Sequence, residues 1–214
     1  MNNDNISIRH HRKASVKPHR AFTVNFFGNK IRTIVTTNFA VVKKWVYKIR
    51  YFYRARRDQL VIGLGVQWPV NDPSQSYTLQ LCVGRHCLVL HLFYTRYVPR
   101  IFHRFLADGR NTFVGIWNYN DEIKLRKSQQ KLLVSRLVDV RCVAAARMDM
   151  SLQASMETLA EAILGREGVN KHIEIATSDW GRGFLSKEQV LYACLDAFAS
   201  SEIGKKLEAW DWTD

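Results

Sequence analysis

From Ala21 the chain alternates apolar and polar positions, first in "AFTVNFF" and then in "KIRTIVTT", on either side of Gly28 and Asn29. A period of two sends one row of side chains into a core, and Gly28-Asn29 suits a two-residue turn, so an opening β-hairpin is expected. The period then changes. In "NFAVVKKWVYKIRYFYRARR" the apolar residues Phe39, Val42, Val46, Ile49 and Phe52 recur at helical spacing, with Lys43, Lys44, Lys48, Arg50 and Arg54 largely off that stripe. This predicts an amphipathic helix with a basic outer face. Three β-rich runs follow, Leu60 to Gln67, Tyr77 to Val83 and Cys87 to Leu92, which read as an antiparallel meander. After them come a helix at about Val98 to Leu106, a strand "TFVGIW", a helix near Asn120 to Gln130 and a short "LVDVR" segment. Helices near Met156 to Leu164 and from Ser186 to the C-terminus complete the pattern. Alternating strands and helices after a meander predict a mixed α/β sheet flanked by helices.

Composition adds a partner class. The chain has 214 residues, 47% of them hydrophobic, enough for one sizeable core, and we expect one domain over residues 21–212. Residues 1–20, with "RHHRKAS" and "KPHR" and no hydrophobic periodicity, read as a flexible basic arm. His10, His11 and His19 fall in that arm without partner ligands at zinc spacing, which favours a solvated tail. No apolar run approaches the roughly 20 residues of a bilayer span, and the N-terminus lacks a signal-peptide core, so the expectation is an intracellular protein of nucleus or cytoplasm. Four cysteines, Cys82, Cys87, Cys142 and Cys194, show no C-x-x-C spacing, and buried thiols are expected. Thirty-two Lys and Arg against nineteen Asp and Glu give a net charge of +13, which favours polyanions such as nucleic acid. No Walker loop, G-x-G-x-x-G, H-E-x-x-H or G-x-S-x-G is present.

The last helix is the best marked. Ser186 and Gln189 make an S-x-x-Q capping box, and Tyr192 and Asp196, four residues apart, share one helix face. It lies in the last of three blocks that stand in order: "LVIGLGVQW" with "YTLQLCVGRHCLVLHL", then "FLADGRNTFVGIWNYNDEIKL", then "SDWGRGFLSKEQVLYACLDAFASSEIGKKL". Together these resemble the 3′–5′ exonucleases of the DEDD type, nearest to the plant proteins similar to the Werner syndrome exonuclease domain. The resemblance runs from about Ala21 to Ala209 and implies an RNase H-like, DnaQ-like fold with a mixed sheet of five to six strands.

It also implies chemistry. In that family four acidic side chains bind two Mg²⁺ or Mn²⁺ ions, and such a pair needs several anionic oxygens around it. The resemblance assigns Asp121 of "NYND" as the third acid, and Tyr192 and Asp196 of "YACLD" as the tyrosine and fourth acid of the tyrosine-bearing subgroup. The first-strand pair falls on Gly65 and Gln67, which carry no carboxylate. Only Asp121 and Asp196 remain as metal ligands, so Mg²⁺ or Mn²⁺ binding is expected to be poor. Of the carboxylates nearest in sequence, Asp58, Asp72, Glu122 and Asp139, the pattern puts none at the vacated positions.

The expected function is therefore an exonuclease-like protein that binds single-stranded DNA or RNA with impaired cleavage, and no membrane as partner. Lys43, Lys44, Lys48 and Arg50 are the candidate backbone contacts, with Trp117, Tyr119 and Trp68 as candidate stacking surfaces. Two other readings compete: an active exonuclease using one metal or a relocated ligand, and a non-catalytic subunit assembling with itself or with active relatives. For the latter, "WVYKIRYFY" and "EAWDWTD" are the candidate anchors.

Overall fold

The computed structural model describes residues 5–11, 18–69, 76–169 and 172–213. Eight strands form one sheet: β1 (Ile6–His10), β2 (His19–Phe26), β3 (Asn29–Thr36), β4 (Leu60–Gln67), β5 (Thr78–Val83), β6 (His86–Leu90), β7 (Asn111–Gly115) and β8 (Leu137–Asp139). Seven helices flank it: α1 (Phe39–Phe52), α2 (Arg100–Leu106), α3 (Tyr119–Lys127), α4 (Val140–Met148), α5 (Met156–Leu164), α6 (Ile173–Ala176) and α7 (Lys187–Lys206). The strand order is β1-β2-β3-β6-β5-β4-β7-β8. The β3–β6, β4–β7 and β7–β8 pairs are parallel and the others antiparallel. The mixed α/β architecture and the β4–β5–β6 meander follow the sequence pattern.

The strand count exceeds the expected five to six, because two edges were hard to read. Residues Ile6–His10, expected within a flexible arm, pair with β2 from Ile6↔Phe26 to His10↔Phe22. The pattern ISIRH alternates half-buried with exposed positions, and Ile6 and Ile8 lean on the core. Two isoleucines make too short a signal against the surrounding charge. Residues 1–4 and 12–17 of the expected arm lie outside the described residues. His10 stacks on Phe22 with centroids 4.6 Å apart, and His11 Nε2 lies 2.8 Å from Thr23 Oγ1, so both histidines serve the β1–β2 ribbon.

Local details also shift. The first hairpin turns at Phe27 and Gly28, not at Gly28-Asn29: both have positive φ, 47° and 82°, and Asn29 already pairs with Phe26. That is the left-handed pair a two-residue hairpin needs, and glycine takes it without strain. In α1 the buried stripe is Val42, Trp45, Val46 and Ile49, while Phe39 and Phe52 at its ends are exposed. Helix α4 was hidden because its nine residues show little amphipathic segregation; it starts where Asp139 accepts from the Arg141 backbone N–H. The Ser186–Gln189 capping box forms as expected, and Gln189 also donates to the Asp179 carbonyl.

The sheet separates two cores. Val61 of β4 packs with α5, α7 and the opening hairpin, whereas Leu60, Ile62, Leu64 and Val66 pack with α1 and α2 on the other face. Cys82 and Cys87 face each other across the β5–β6 turn and both are buried and free, as is Cys194. Trp210 and Trp212 of "EAWDWTD" are partly buried against the protein's own core.

His91, just after β6, is buried, with Nε2 3.1 Å from the Trp180 carbonyl oxygen. Burial pulls its pKa below the usual histidine value, opposed by that carbonyl. The neutral ring is therefore favoured in the fold, and its contribution to stability is present above the unfolded histidine value of about 6.5 and lost as pH falls below it. Urea titrations should show stability dropping as pH falls from about 7.5 to 5. His91→Gln should flatten that dependence; an unchanged slope in the variant would remove His91 as its source.

Candidate functional site

Helix α7 crosses β4 on the sheet face that Val61, Gly63, Gly65 and Gln67 share by alternation. The approach is backbone to backbone. A methyl group added at Gly63 would fall 1.6 Å from the Ala197 carbonyl oxygen, and Ser201 Oγ donates to the Val61 carbonyl at 3.3 Å. Gly63 is thus fixed by packing, since only hydrogen fits between strand and helix.

Gly65 is different. A methyl group there would meet Asp196 Oδ2 and Gln80 Oε1, each at 2.8 Å, and no backbone atom among its three nearest neighbours. Both obstacles are ends of side chains that can swing, and the Gly65 backbone is not left-handed. Neither packing nor conformation requires glycine at this position. The structure therefore brings Asp196 directly beside Gly65. Gln80, opposite Gly65 in the β4–β5 ladder, closes the gap from the other side. Its amide nitrogen reaches Thr78 Oγ1 at 2.5 Å, and its buried Oε1 finds no hydrogen-bond partner within the protein. Turning that amide over would aim an N–H at the gap that Asp196 borders and let the Thr78 hydroxyl donate to the oxygen. A neutral amide and one carboxylate share the space.

Asp121 arrives from another direction. Strand β7 runs parallel to β4 and delivers α3 near the end of β4, with Asp121 buried in its first turn. A carboxylate there is favoured by the helix dipole. One turn on, the Lys124 ammonium sits 3.0 Å from the centroid of the Trp68 ring, next to Gln67. Burial lowers the Lys124 pKa, while the nearby Asp121 carboxylate raises it. Lys124 and Gln80 had no signal in the sequence reading, because only the fold brings them to the end of β4 and to Gly65. Tyr192 lies one turn before Asp196, half-buried, its ring 6.0 Å from that of Trp180. Gln67 is buried at the end of β4.

Among the described residues, the other candidate carboxylates do not fill the gap. Asp139 is held by Arg141 in a close ion pair, accepts from the Trp117 backbone N–H and caps α4. Asp58 is exposed before the start of β4, at the end opposite Gln67, and Glu122 occupies the first turn of α3. Asp72 lies outside the described residues. Among the described residues no group of three or more His, Cys, Asp or Glu side chains could hold a metal ion.

The candidate nucleic-acid contacts divide between places. Trp117 and Tyr119, 53% and 79% exposed, flank the start of α3 beside Asp121. The Arg141 guanidinium lies 3.2 Å from the Trp117 ring centroid, a cation on an exposed aromatic. Lys43, Lys44, Lys48 and Arg50 instead lie on α1, which packs on the opposite sheet face from α7. Arg50 is directed to Asp108, 4.0 Å away, and so is partly neutralised.

Comparison with known proteins accords with this geometry. A family model described as 3′–5′ exonuclease matches residues 69–209, beginning just beyond Gln67. A 3′–5′ exonuclease of Arabidopsis thaliana is 25% identical over 198 residues, covering 88% of this chain and 67% of that protein. The bifunctional 3′–5′ exonuclease/ATP-dependent helicase WRN of Mus musculus is 28% identical over 152 residues, 69% of this chain and 11% of that protein. Among solved structures, the catalytic core of RRP6 from Trypanosoma brucei shares the fold with a TM-score of 0.63 at 14% identity, covering 82% of this chain and 46% of that one.

The contrast between the two glycines is measurable. Gly63→Ala should cost more than about 3 kcal/mol of stability, because strand and helix must separate. Gly65→Ala should cost less than about 1 kcal/mol, because only side-chain ends move. Chemical denaturation of both variants checks this, and equal costs would mean Gly65 is also fixed by packing.

Proposed function

The chain belongs to the 3′–5′ exonuclease family, and from that premise we propose that it is a nucleic-acid-binding member with severely impaired cleavage. One observation carries the reading: the gap at Gly65 is bordered by Asp196 and the neutral Gln80 amide, where the family places its first acid. With Gln67 also neutral, two carboxylates, Asp121 and Asp196, remain of four. Hard divalent ions prefer carboxylate oxygens, and this donor set does not fit a two-ion cluster.

Binding survives that loss because it uses different groups. The +13 charge attracts a polyanion over long range, and exposed Trp117 and Tyr119 present faces on which bases can stack. Single-stranded DNA or RNA is the partner this supports. An assembly role has one supporting observation: Tyr47, Tyr51 and Phe52 are all exposed on α1.

The test restores the acids. With a labelled single strand and Mg²⁺ or Mn²⁺, the parent chain should release no nucleotides above background. The Gly65→Asp, Gln67→Glu double variant should gain cleavage by tenfold or more, on the order of the 1.4 kcal/mol of barrier that each tenfold represents. Adding Asp196→Ala should abolish the gain. Cleavage by the parent that disappears with Asp196→Ala alone would overturn the impaired reading and favour an active enzyme.

A further inference from the structure

On the sheet face away from α7, the basic side of α1 does not simply meet solvent. It closes over β3 and β6 to leave a cavity of about 350 Å³, within the range of small-ligand sites. Arg32 of β3, Lys44 and Lys48 of α1 and His86 of β6 line it, with Ile34 and Trp45 as an apolar wall. No carboxylate is among the described residues that line it. The β3–β6 register sets Arg32 directly beside His86, and the two lysines are one helical turn apart, so the charges converge through the fold.

Convergence without an acid has a cost, visible in two groups. Burial lowers the Lys48 pKa, and the Arg32 charge lowers it further. Burial, then Lys48, then Arg32 lower that of His86. Elsewhere in this basic chain Arg50, Arg110, Arg141 and Lys205 have carboxylate partners within 4.0 Å. Two polar ring atoms of the cavity residues, His86 Nδ1 and the Trp45 indole N–H, are buried with no hydrogen-bond partner within the protein. Buried polar atoms of this kind are ordinarily satisfied, and a cavity lined by Arg32, Lys44 and Lys48 is complementary to an anion. Its size and apolar wall suit an anion carrying a sugar or base better than a bare ion.

We propose that this cavity is a nucleotide subsite, holding the phosphate of a phosphorylated nucleoside between Arg32, Lys44 and Lys48 with the ligand's less polar part against Ile34 and Trp45. The nucleotide is either free or one residue of a strand, and in the second case the inference extends the strand-binding reading above. The subsite is separate from the cleavage positions: Lys44 and Lys48 belong to the α1 face of the sheet, Asp196 and Gly65 to the α7 face.

Isothermal titration of the full chain with inorganic phosphate, guanosine monophosphate and a 12-nucleotide single strand tests it, beside an Arg32→Gln, Lys44→Gln, Lys48→Gln triple variant and the single Lys48→Gln. Thermal melting confirms that each variant is folded, and the single variant keeps the test decisive if the triple one is not. Guanosine monophosphate should bind the parent more tightly than phosphate does, and the triple variant should weaken it by about tenfold or more, the scale of a lost charge-assisted contact. Binding of the strand alone, lost in the variant, supports the subsite with a strand as its source. A mononucleotide that binds, but no tighter than phosphate, overturns it, and so do nucleotide and strand binding both unchanged in the variants. Strand binding that persists in the variants while the mononucleotide fails to bind sinks the subsite and leaves the strand-binding reading standing. A mononucleotide that binds through these residues while no strand binds does the reverse.

Discussion

Helix α7 can lie against β4 only because position 63 carries no side chain. With the Ala197 carbonyl oxygen where a methyl group would be, strand and helix touch through their backbones, and the Ser201 hydroxyl ties them at the Val61 carbonyl. Everything on that face of the sheet follows from the contact. It sets the depth of the core that Val61, Val114, Ala197 and Ile203 fill. It also carries Asp196, one residue before Ala197, to the edge of the open position at Gly65.

The two glycines of "GLG" thus have different physical origins although they sit on one strand face. The first is a packing glycine, and the second borders side-chain ends that can move. Around the second, Gln67 and Gln80 are neutral amides, and the Lys124 ammonium near the end of β4 rests on Trp68. Such a site can stay folded without bound cations, because two carboxylates on separate elements repel far less than four converging ones.

The opposite face follows another logic. Helix α1 buries Val42, Trp45, Val46 and Ile49 and leaves its lysines outward, as any amphipathic helix would. Its docking beside β3 and β6 turns that outward charge partly back onto the protein, and a solvated basic face becomes the wall of a cavity. Gly65 with Asp196 and the basic cavity therefore occupy different faces of one sheet.

Periodicity was enough to read the elements with strong local patterns: the first hairpin, α1, the meander and α7 with its Ser186–Gln189 cap. It was not enough for β1, whose two isoleucines stand among charges, or for α4, whose apolar residues show too little segregation to mark a face. At the site, i, i+4 spacing was enough to put Tyr192 and Asp196 on one helix face, whereas the attention to Gly65 and Gln67 came from the resemblance to the exonuclease family and not from spacing. That Gly63 is fixed while Gly65 is free, that Gln80 faces the gap, and that Arg32 and His86 join the lysines of α1 were decided only by tertiary structure. These depend on the distance between residues far apart in the chain, which local spacing does not encode and a packed sheet does.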